Sequence, residues 1–394
     1  MNIEIQHRKA RRLSAIALSE IVQISEKARA LKAQGRDILA LSTGEPDFPT
    51  PPEVIEAAHR AALEGQTGYP PTAGTPTLRA RVAAKHGVAP EETLISTGAK
   101  QVIANAMLAT LDPGDEVIIP APFWTSYADI VRMAEGVPIV LPCGMAQGFK
   151  LGPEALEAAL TARTRWVMLN SPSNPSGAVY SAGEFSALGK VLERHPQVWV
   201  LSDEIYEHLS YVPFTTFPEA APALRERTLV VNGVSKAWSM TGWRIGWGVG
   251  PAALIRDMTV VQGQVTSGAC SISQAAACAA LDMGPEILSE RLADFLARRD
   301  LVVAGLDALP GIACPEPGGA FYAFPDIGAC LGNRHGMATD TEFCAWLLDT
   351  SGLAVVPGSA FGMPGHFRLS FAYSRAQIAD GLSRLETALG ALPA

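Results

Sequence analysis

Short apolar runs recur along the chain, each closed by glycine, proline, asparagine or aspartate. TLISTG (93–98), EVIIP (116–120), PIVLP (138–142), RWVMLN (165–170), VWVLSDE (198–204) and TLVVNG (228–233) read as strands. Between them lie stretches with apolar positions at helical spacing, over 53–64, 99–111, 127–135 and 182–194. The segment 14–35, SAIALSEIVQISEKARALKAQG, also reads as a helix, with Gly35 as its stop. Strand–helix alternation predicts a mostly parallel sheet covered on both faces. The rhythm changes near residue 285. A long helical pattern, EILSERLADFLARRDLVVAGLDAL, is followed by GGAFYAFPDI, LAVVPG and FRLSFA, which read as strands of a smaller α/β unit. No repeat, low-complexity tract or linker interrupts the pattern.

A chain of 394 residues exceeds one ordinary core and predicts two domains, or one large domain with an appendage. With 48% hydrophobic and 18% charged residues, the composition is that of a soluble enzyme with a large core. A net charge of -8 argues against nucleic acid and anionic membranes as partners. No apolar run is long enough for a bilayer, and the N-terminal stretch lacks a clean apolar core and cleavage site. The six cysteines form no CxxC pair. They suit buried positions in a reducing cytoplasm better than a disulfide framework or a zinc site, and no metal is expected.

Ligands of open α/β sheets bind beyond the carboxyl ends of the strands. STGAKQ, NSPSNPSG, SDEIY and VSKAWSMTGWRIG all lie there. Taken singly, each has a bland reading: a solvated lysine, a helix cap, a capping aspartate. Yet Lys236 follows a buried strand and precedes Ala, Trp, Ser and Met. Burial lowers a lysine pKa, and a neutral amine attacks carbonyls to form a Schiff base. Arg244 offers a permanent charge suited to phosphate, and TGAKQ opens a helix whose N–H groups favour an anion. GxxxxGK[ST] is absent, as is GxGxxG after any strand, so neither a P-loop nor a dinucleotide fold is indicated. A lysine, a phosphate site, Asp203 and the phenol of Tyr206 together match what pyridoxal phosphate requires, with the carboxylate keeping the ring nitrogen protonated.

Five separated motifs, LSTGEPDFPTP, NSPSNPSGAVY, SDEIYEHL, VSKAWSMTGWRIG and FRLSFA, resemble the class I/II aminotransferases of fold-type I, in that family's order. The likeness is strongest to the bacterial aspartate aminotransferase subgroup and runs from about Gly35 to Ala372. It implies a large domain with a seven-stranded, mostly parallel sheet and a smaller α/β domain built from both chain ends. The expected division is 1–45 joining the small domain, 46–290 as the cofactor-binding domain and 291–394 as the small domain. It implies that Lys236 carries the cofactor and moves the substrate proton, and that Asp203 pairs with the ring nitrogen. Tyr206 and Asn174 would bond the ring's 3′ oxygen. Gly98, Ala99 and Lys100 at the helix start, with Ser235 and Arg244, would hold the phosphate, and Trp124 would stack on the ring. Arg368 would grip the substrate α-carboxylate, aided by Asn174 and Gly44. Tyr69 would reach the phosphate of a neighbouring subunit, making a homodimer with shared sites.

The implied activity is ping-pong transamination from an L-amino acid, aspartate-like, to a 2-oxo acid such as 2-oxoglutarate. One departure bears on substrate. Aspartate-specific members carry a Lys-Pro-Ser-Ala-Thr-like stretch where residues 17–21 read ALSEI. The pocket edge, expected from 16–21, Trp124 and Tyr322, is then rather apolar, unless Arg12 swings in to meet a second carboxylate. Aromatic or other apolar amino acids or prephenate form the alternative, and a β-lyase on the same fold a lesser one. A transcription regulator is disfavoured, since about forty residues before LSTGEPDF are too few for a DNA-binding domain.

Overall fold

A computed structural model describes residues 8–16, 20–332 and 336–391. In chain order its strands are β1 (Leu39–Ala40), β2 (Thr93–Ser96), β3 (Glu116–Ala121), β4 (Val137–Pro142), β5 (Thr164–Asn170), β6 (Trp199–Asp203), β7 (Thr228–Gly233), β8 (Gly246–Val249), β9 (Tyr322–Ala323), β10 (Leu353–Ala354), β11 (Val356–Pro357) and β12 (Phe367–Ser370). Seven form one sheet in the order β2-β8-β7-β6-β5-β3-β4. Every pairing in it is parallel except the two made by β8, which is antiparallel to both β2 and β7.

The apolar runs lie where the pattern puts them, because strands covered on both faces tolerate no polar alternation. All six residues of β7 are buried. Helices Ala99–Thr110 and Ser126–Met133 pack on one face with Leu94, Val117 and Met168; Ala182–Glu193 contributes Phe185 and Leu188 to a separate core with Val167 and Val200. That last helix opens with a reciprocal cap: Ser181 Oγ accepts from Glu184 N, and the Glu184 carboxylate accepts from Ser181 N.

Several expectations need correction. The helix expected over 14–35 is seen as Glu20–Ala33, preceded by a 3-10 turn at Arg11–Leu13. No strand is expected over 246–249, yet β8 sits there: glycines in GWGV weaken the strand signal while letting neighbouring backbone close in. Cys270 is exposed and Cys278 only half-buried, unlike the other four cysteines. The strands of the C-terminal section are short: β9 is two residues, and LAVVPG splits into β10 and β11.

The smaller unit joins the chain's two ends. β1 pairs in parallel with β10, and β11-β12-β9 form an antiparallel sheet over a core containing Phe295, Phe321 and Phe367. Helix Glu286–Asp307 runs unbroken across the 290/291 boundary expected from the sequence. Among the described residues no helix is long and apolar enough to cross a membrane, and no group of His, Cys, Asp or Glu is placed to hold a metal ion.

Candidate active site

The ends of β5, β6 and β7, with the turn between β2 and helix Ala99–Thr110, open into a cavity of about 500 Å³ that Gly44, Tyr322 and Arg368 close from the smaller unit. Its floor is Asp203, the last residue of β6 and only 4% exposed. Asp203 Oδ2 accepts a 2.6 Å bond from Tyr127 Oη, and Oδ1 accepts from Ile205 N at 3.2 Å. Burial pushes this carboxyl up to about 6, against the lowering effects of Tyr127, Ile205 N and Lys236. The site thus holds an anion that lacks a full complement of partners.

Lys236 Nζ donates to Gly44 O at 2.7 Å and stands 5.8 Å from the Tyr206 ring centre. Burial lowers its pKa to about 8; Glu45 opposes this, while Arg368 and Arg244 add to it. An amine so placed is partly neutral near physiological pH.

One wall is built for an anion. Helix Ala99–Thr110 begins at Gly98, whose φ is 81°, and no side chain caps it. A plain cap by Ser96 or Thr97 is thereby replaced: Ser96 Oγ instead donates to Gln262 Oε1 at 2.5 Å. A Cβ on Gly98 would lie 2.4 Å from Arg244 Nη2, so the absent side chain admits the guanidinium to the helix start. Gly246 acts similarly, since its Cβ would meet Ala99 N at 2.3 Å. Arg244 itself has φ 57°, a sparsely populated conformation for a non-glycine residue. Ser235 is buried beside this cradle.

The opposite wall holds Arg368, 1% exposed, from β12. Its Nη1 donates to Asn174 Oδ1 at 3.0 Å and its Nη2 to Ser42 O at 2.6 Å. Its Nε is buried with no protein acceptor. The guanidinium lies 4.6 Å from the Tyr322 ring centre, and Tyr322 Oη is 2.8 Å from Tyr206 Oη. Trp124 stands at the mouth, with Lys100 Nζ 4.8 Å from its ring centre. Only the backbone of Lys100 therefore belongs to the anion cradle; its amine faces the indole.

The structure brings together Gly44, Gly98, Ala99, Lys100, Trp124, Asn174, Asp203, Tyr206, Ser235, Lys236, Arg244 and Arg368. Tyr69 stands apart, 94% exposed and outside this cavity. Arg12 is exposed and does not line it. Of the expected edge at 16–21, residues 17–19 and the side chains of Glu20 and Ile21 lie outside the described residues. Two participants escaped the sequence reading. Asn170 ends β5, donates to Asp203 O at 2.9 Å and accepts from Asn174 N at 2.8 Å. Tyr127 lies three residues after Trp124, one helical step away in a stretch already singled out, and that spacing could have flagged it.

Comparison with known proteins agrees with this geometry. The family model for aminotransferase class I and II matches residues 36–385. An aspartate aminotransferase of Rhizobium meliloti (strain 1021) is 51% identical over 391 residues, which covers 96% of this chain and 95% of that protein. An aspartate/prephenate aminotransferase of Cereibacter sphaeroides is 46% identical, over 95% of this chain and 96% of the relative. The solved structure of the Thermus thermophilus aspartate aminotransferase with maleate is 39% identical and superposes with a TM-score of 0.91, over 97% of this chain and 100% of that one. Sequence order, fold and site lead to one conclusion: the chain belongs to the class I and II aminotransferases.

Proposed function

We propose that this protein is a pyridoxal phosphate-dependent aminotransferase that takes the amino group of an L-amino acid, preferentially aspartate, and passes it to a 2-oxo acid such as 2-oxoglutarate. One observation carries the reading: a lysine with a lowered pKa, an under-partnered buried carboxylate, an uncapped helix start and a buried arginine converge in one cavity.

These residues fit the cofactor. The cradle that a Cβ at Gly98 or Gly246 would fill suits a phosphate, with Gly98, Ala99, Lys100 N, Ser235 and Arg244 around it. Asp203 would meet the ring nitrogen, Tyr206 and Asn174 the ring hydroxyl, and Trp124 the ring face. When bound, pyridoxal phosphate supplies an electrophilic carbon and an electron-withdrawing ring. The chain's own residues supply the rest. Lys236 Nζ takes a proton from the substrate Cα and returns one. Arg368, held by Asn174 and Ser42 O, grips the α-carboxylate of donor and acceptor alike through charge-assisted bonds.

A second carboxylate needs a second cation, because an unpaired charge in the pocket is costly. Of the cationic side chains lining the cavity, Lys236, Arg244 and Arg368 have these tasks. Lys100 remains, at the mouth beside Trp124, and supports a dicarboxylate donor. The Thermus enzyme was solved with maleate, which is a dicarboxylate too. The aromatic wall of Trp124 and Tyr322, with the name of the Cereibacter relative, favours prephenate or aromatic substrates as the second reading.

We also infer a homodimer in which Tyr69 serves the partner's cofactor. Support comes from the exposure of Tyr69, at 94%, and of the apolar side chains of Leu63, Val260 and Val265, at 76, 66 and 62%. The six free thiols suit a cytoplasmic location. A panel of amino donors against oxo-acid acceptors tests the function. Oxo-acid-dependent turnover led by aspartate is expected. Turnover that ignores the acceptor would overturn transamination, and a tenfold preference for phenylalanine in kcat/KM would overturn the aspartate assignment alone.

A further inference from the structure

We propose that Tyr127 is a positioning residue for the reaction, fixing the Asp203 carboxylate beneath the cofactor's ring nitrogen. The inference rests on the assignment of Asp203 to that nitrogen.

Tyr127 is 2% exposed and sits in the first turn of helix Ser126–Met133. Its ring packs edge-on against Trp124, with centroids 5.4 Å apart and planes at 85°, and it shares a core with Phe123, Met168 and Phe361. Packing therefore decides where its hydroxyl lies. That hydroxyl donates to Asp203 Oδ2 at 2.6 Å, within the range of short charge-assisted bonds. The other oxygen has only Ile205 N, at 3.2 Å and two residues along the same chain. Asn170 restrains Asp203 through its backbone oxygen and leaves the carboxyl free to turn. Tyr127 is the described side chain that stops this rotation.

The bond also bears on charge. Burial drives Asp203 towards its neutral form, and the Tyr127 hydroxyl is the largest influence against this. Burial and the charge of Asp203 both push the phenol's own pKa well above its usual value, so it stays a donor. A carboxylate that loses this donor holds a proton more tightly. The proton shared with a ring nitrogen then shifts towards Asp203, and the ring withdraws electrons less well. The residue would act on turnover and leave substrate binding alone, since Arg368 lies on the other wall.

Tyr127→Phe keeps the ring against Trp124 and removes only the hydroxyl. In holoenzyme reconstituted with ring-15N pyridoxal phosphate, the nitrogen resonance should move towards that of neutral pyridine. In the same variant kcat should fall about tenfold while the donor KM stays within about twofold. Replacing Tyr127 by 3-fluorotyrosine, a more acidic donor of nearly the same shape, should move the resonance the opposite way; this arm answers the question if the Phe variant does not fold. An unmoved resonance overturns the proposal, whether or not kcat falls, because a packing defect alone would lower kcat without it. Asp203→Asn separates the two levels. If it disturbs resonance and kcat while Tyr127→Phe does not, only the role of Tyr127 fails. If it leaves both untouched, the assignment of Asp203 fails as well.

Discussion

Two cavities of nearly equal size flank one short segment of this chain. The first, about 500 Å³, is the candidate active site; the second, about 480 Å³, lies among Lys85, His86, Glu92, Glu207, Glu219 and Arg225. Both are rich in charge, and the 203–207 segment feeds both: Asp203 and Tyr206 line the first, Glu207 the second. They differ in what the charges face. In the second cavity the charges face other protein charges and polar groups, though Glu207 Oε1 and His208 Nε2 are buried and imperfectly hydrogen-bonded. Lys85 Nζ lies 2.7 Å from Glu207 Oε1, and His208 Nε2 lies 3.0 Å from the same oxygen. Glu92 accepts from Ala89 N, Glu219 from Thr216 N, and Arg225 donates to Gly87 O. His86 accepts from Trp247 Nε1. In the first, Arg368 Nε has no acceptor, Asp203 is pushed up to about 6 and Lys236 down to about 8. Charges already paired hold a structure together, whereas charges with unmet demands await a ligand.

The sharpest way to break this contrast is to remove one amine from each cavity. Lys236→Ala should cost on the order of a thousandfold or more in kcat, because no other group is placed to move the Cα proton. Lys85→Met should leave kcat within about twofold. Steady-state rates of the two variants decide it; comparable losses would mean that the second cavity takes part in catalysis.

Arg368→Lys should come next. Lysine keeps the charge but loses the planar fork held by Asn174 and Ser42 O. A charged hydrogen bond contributes roughly 1.5–3 kcal/mol, so kcat/KM should drop about ten- to a hundredfold, equally for every donor. A loss confined to aspartate would place Arg368 at the side-chain carboxylate.

How far the sequence carried the argument depends on distance along the chain. β7 and Lys236 were legible because a largely apolar run must be buried and the lysine follows within three residues of its end. β8 was hidden by its glycines, one of which, Gly246, lies against Gly98 and Ala99 almost 150 residues away. Lys100 could be placed on the helix start from TGAKQ, but not turned towards Trp124, because local pattern fixes the backbone and not the rotamer. The second cavity left no trace at all, since Lys85 and Glu207 lie more than a hundred residues apart and only the tertiary fold brings them together.

Substrate choice sharpens the comparison within the first cavity. If Lys100 meets the second carboxylate, Lys100→Met should lower kcat/KM for aspartate about tenfold and leave phenylalanine nearly unchanged. A uniform loss for both donors would assign the side chain to the cofactor. An unchanged ratio and rate would return attention to Arg12.

Glu207 offers the smallest effect on turnover and the clearest on stability. Burial raises this carboxyl, but hydrogen bonding to His208 and the charges of His208 and Lys85 outweigh it, bringing the pKa to about 2. A folded value below the ordinary 4.5 means that the interaction stabilises the fold above pH 4.5. That stability is lost as pH falls from 4.5 through 2. Glu207→Gln should lower stability just above pH 4.5 by on the order of 3 kcal/mol and abolish this acid limb. His86 responds to the same change. Burial lowers it to about 4 against the raising charge of Glu207, so its acid limb, which begins at pH 6.5, should persist in Glu207→Gln and reach to lower pH. Urea unfolding of the two proteins across this range reads both limbs, and kcat for aspartate should stay within about twofold. A tenfold loss of kcat in a variant that remains folded would show that the segment from Asp203 to Glu207 couples the two cavities, and that pairing among its charges does not mark the second one as structural.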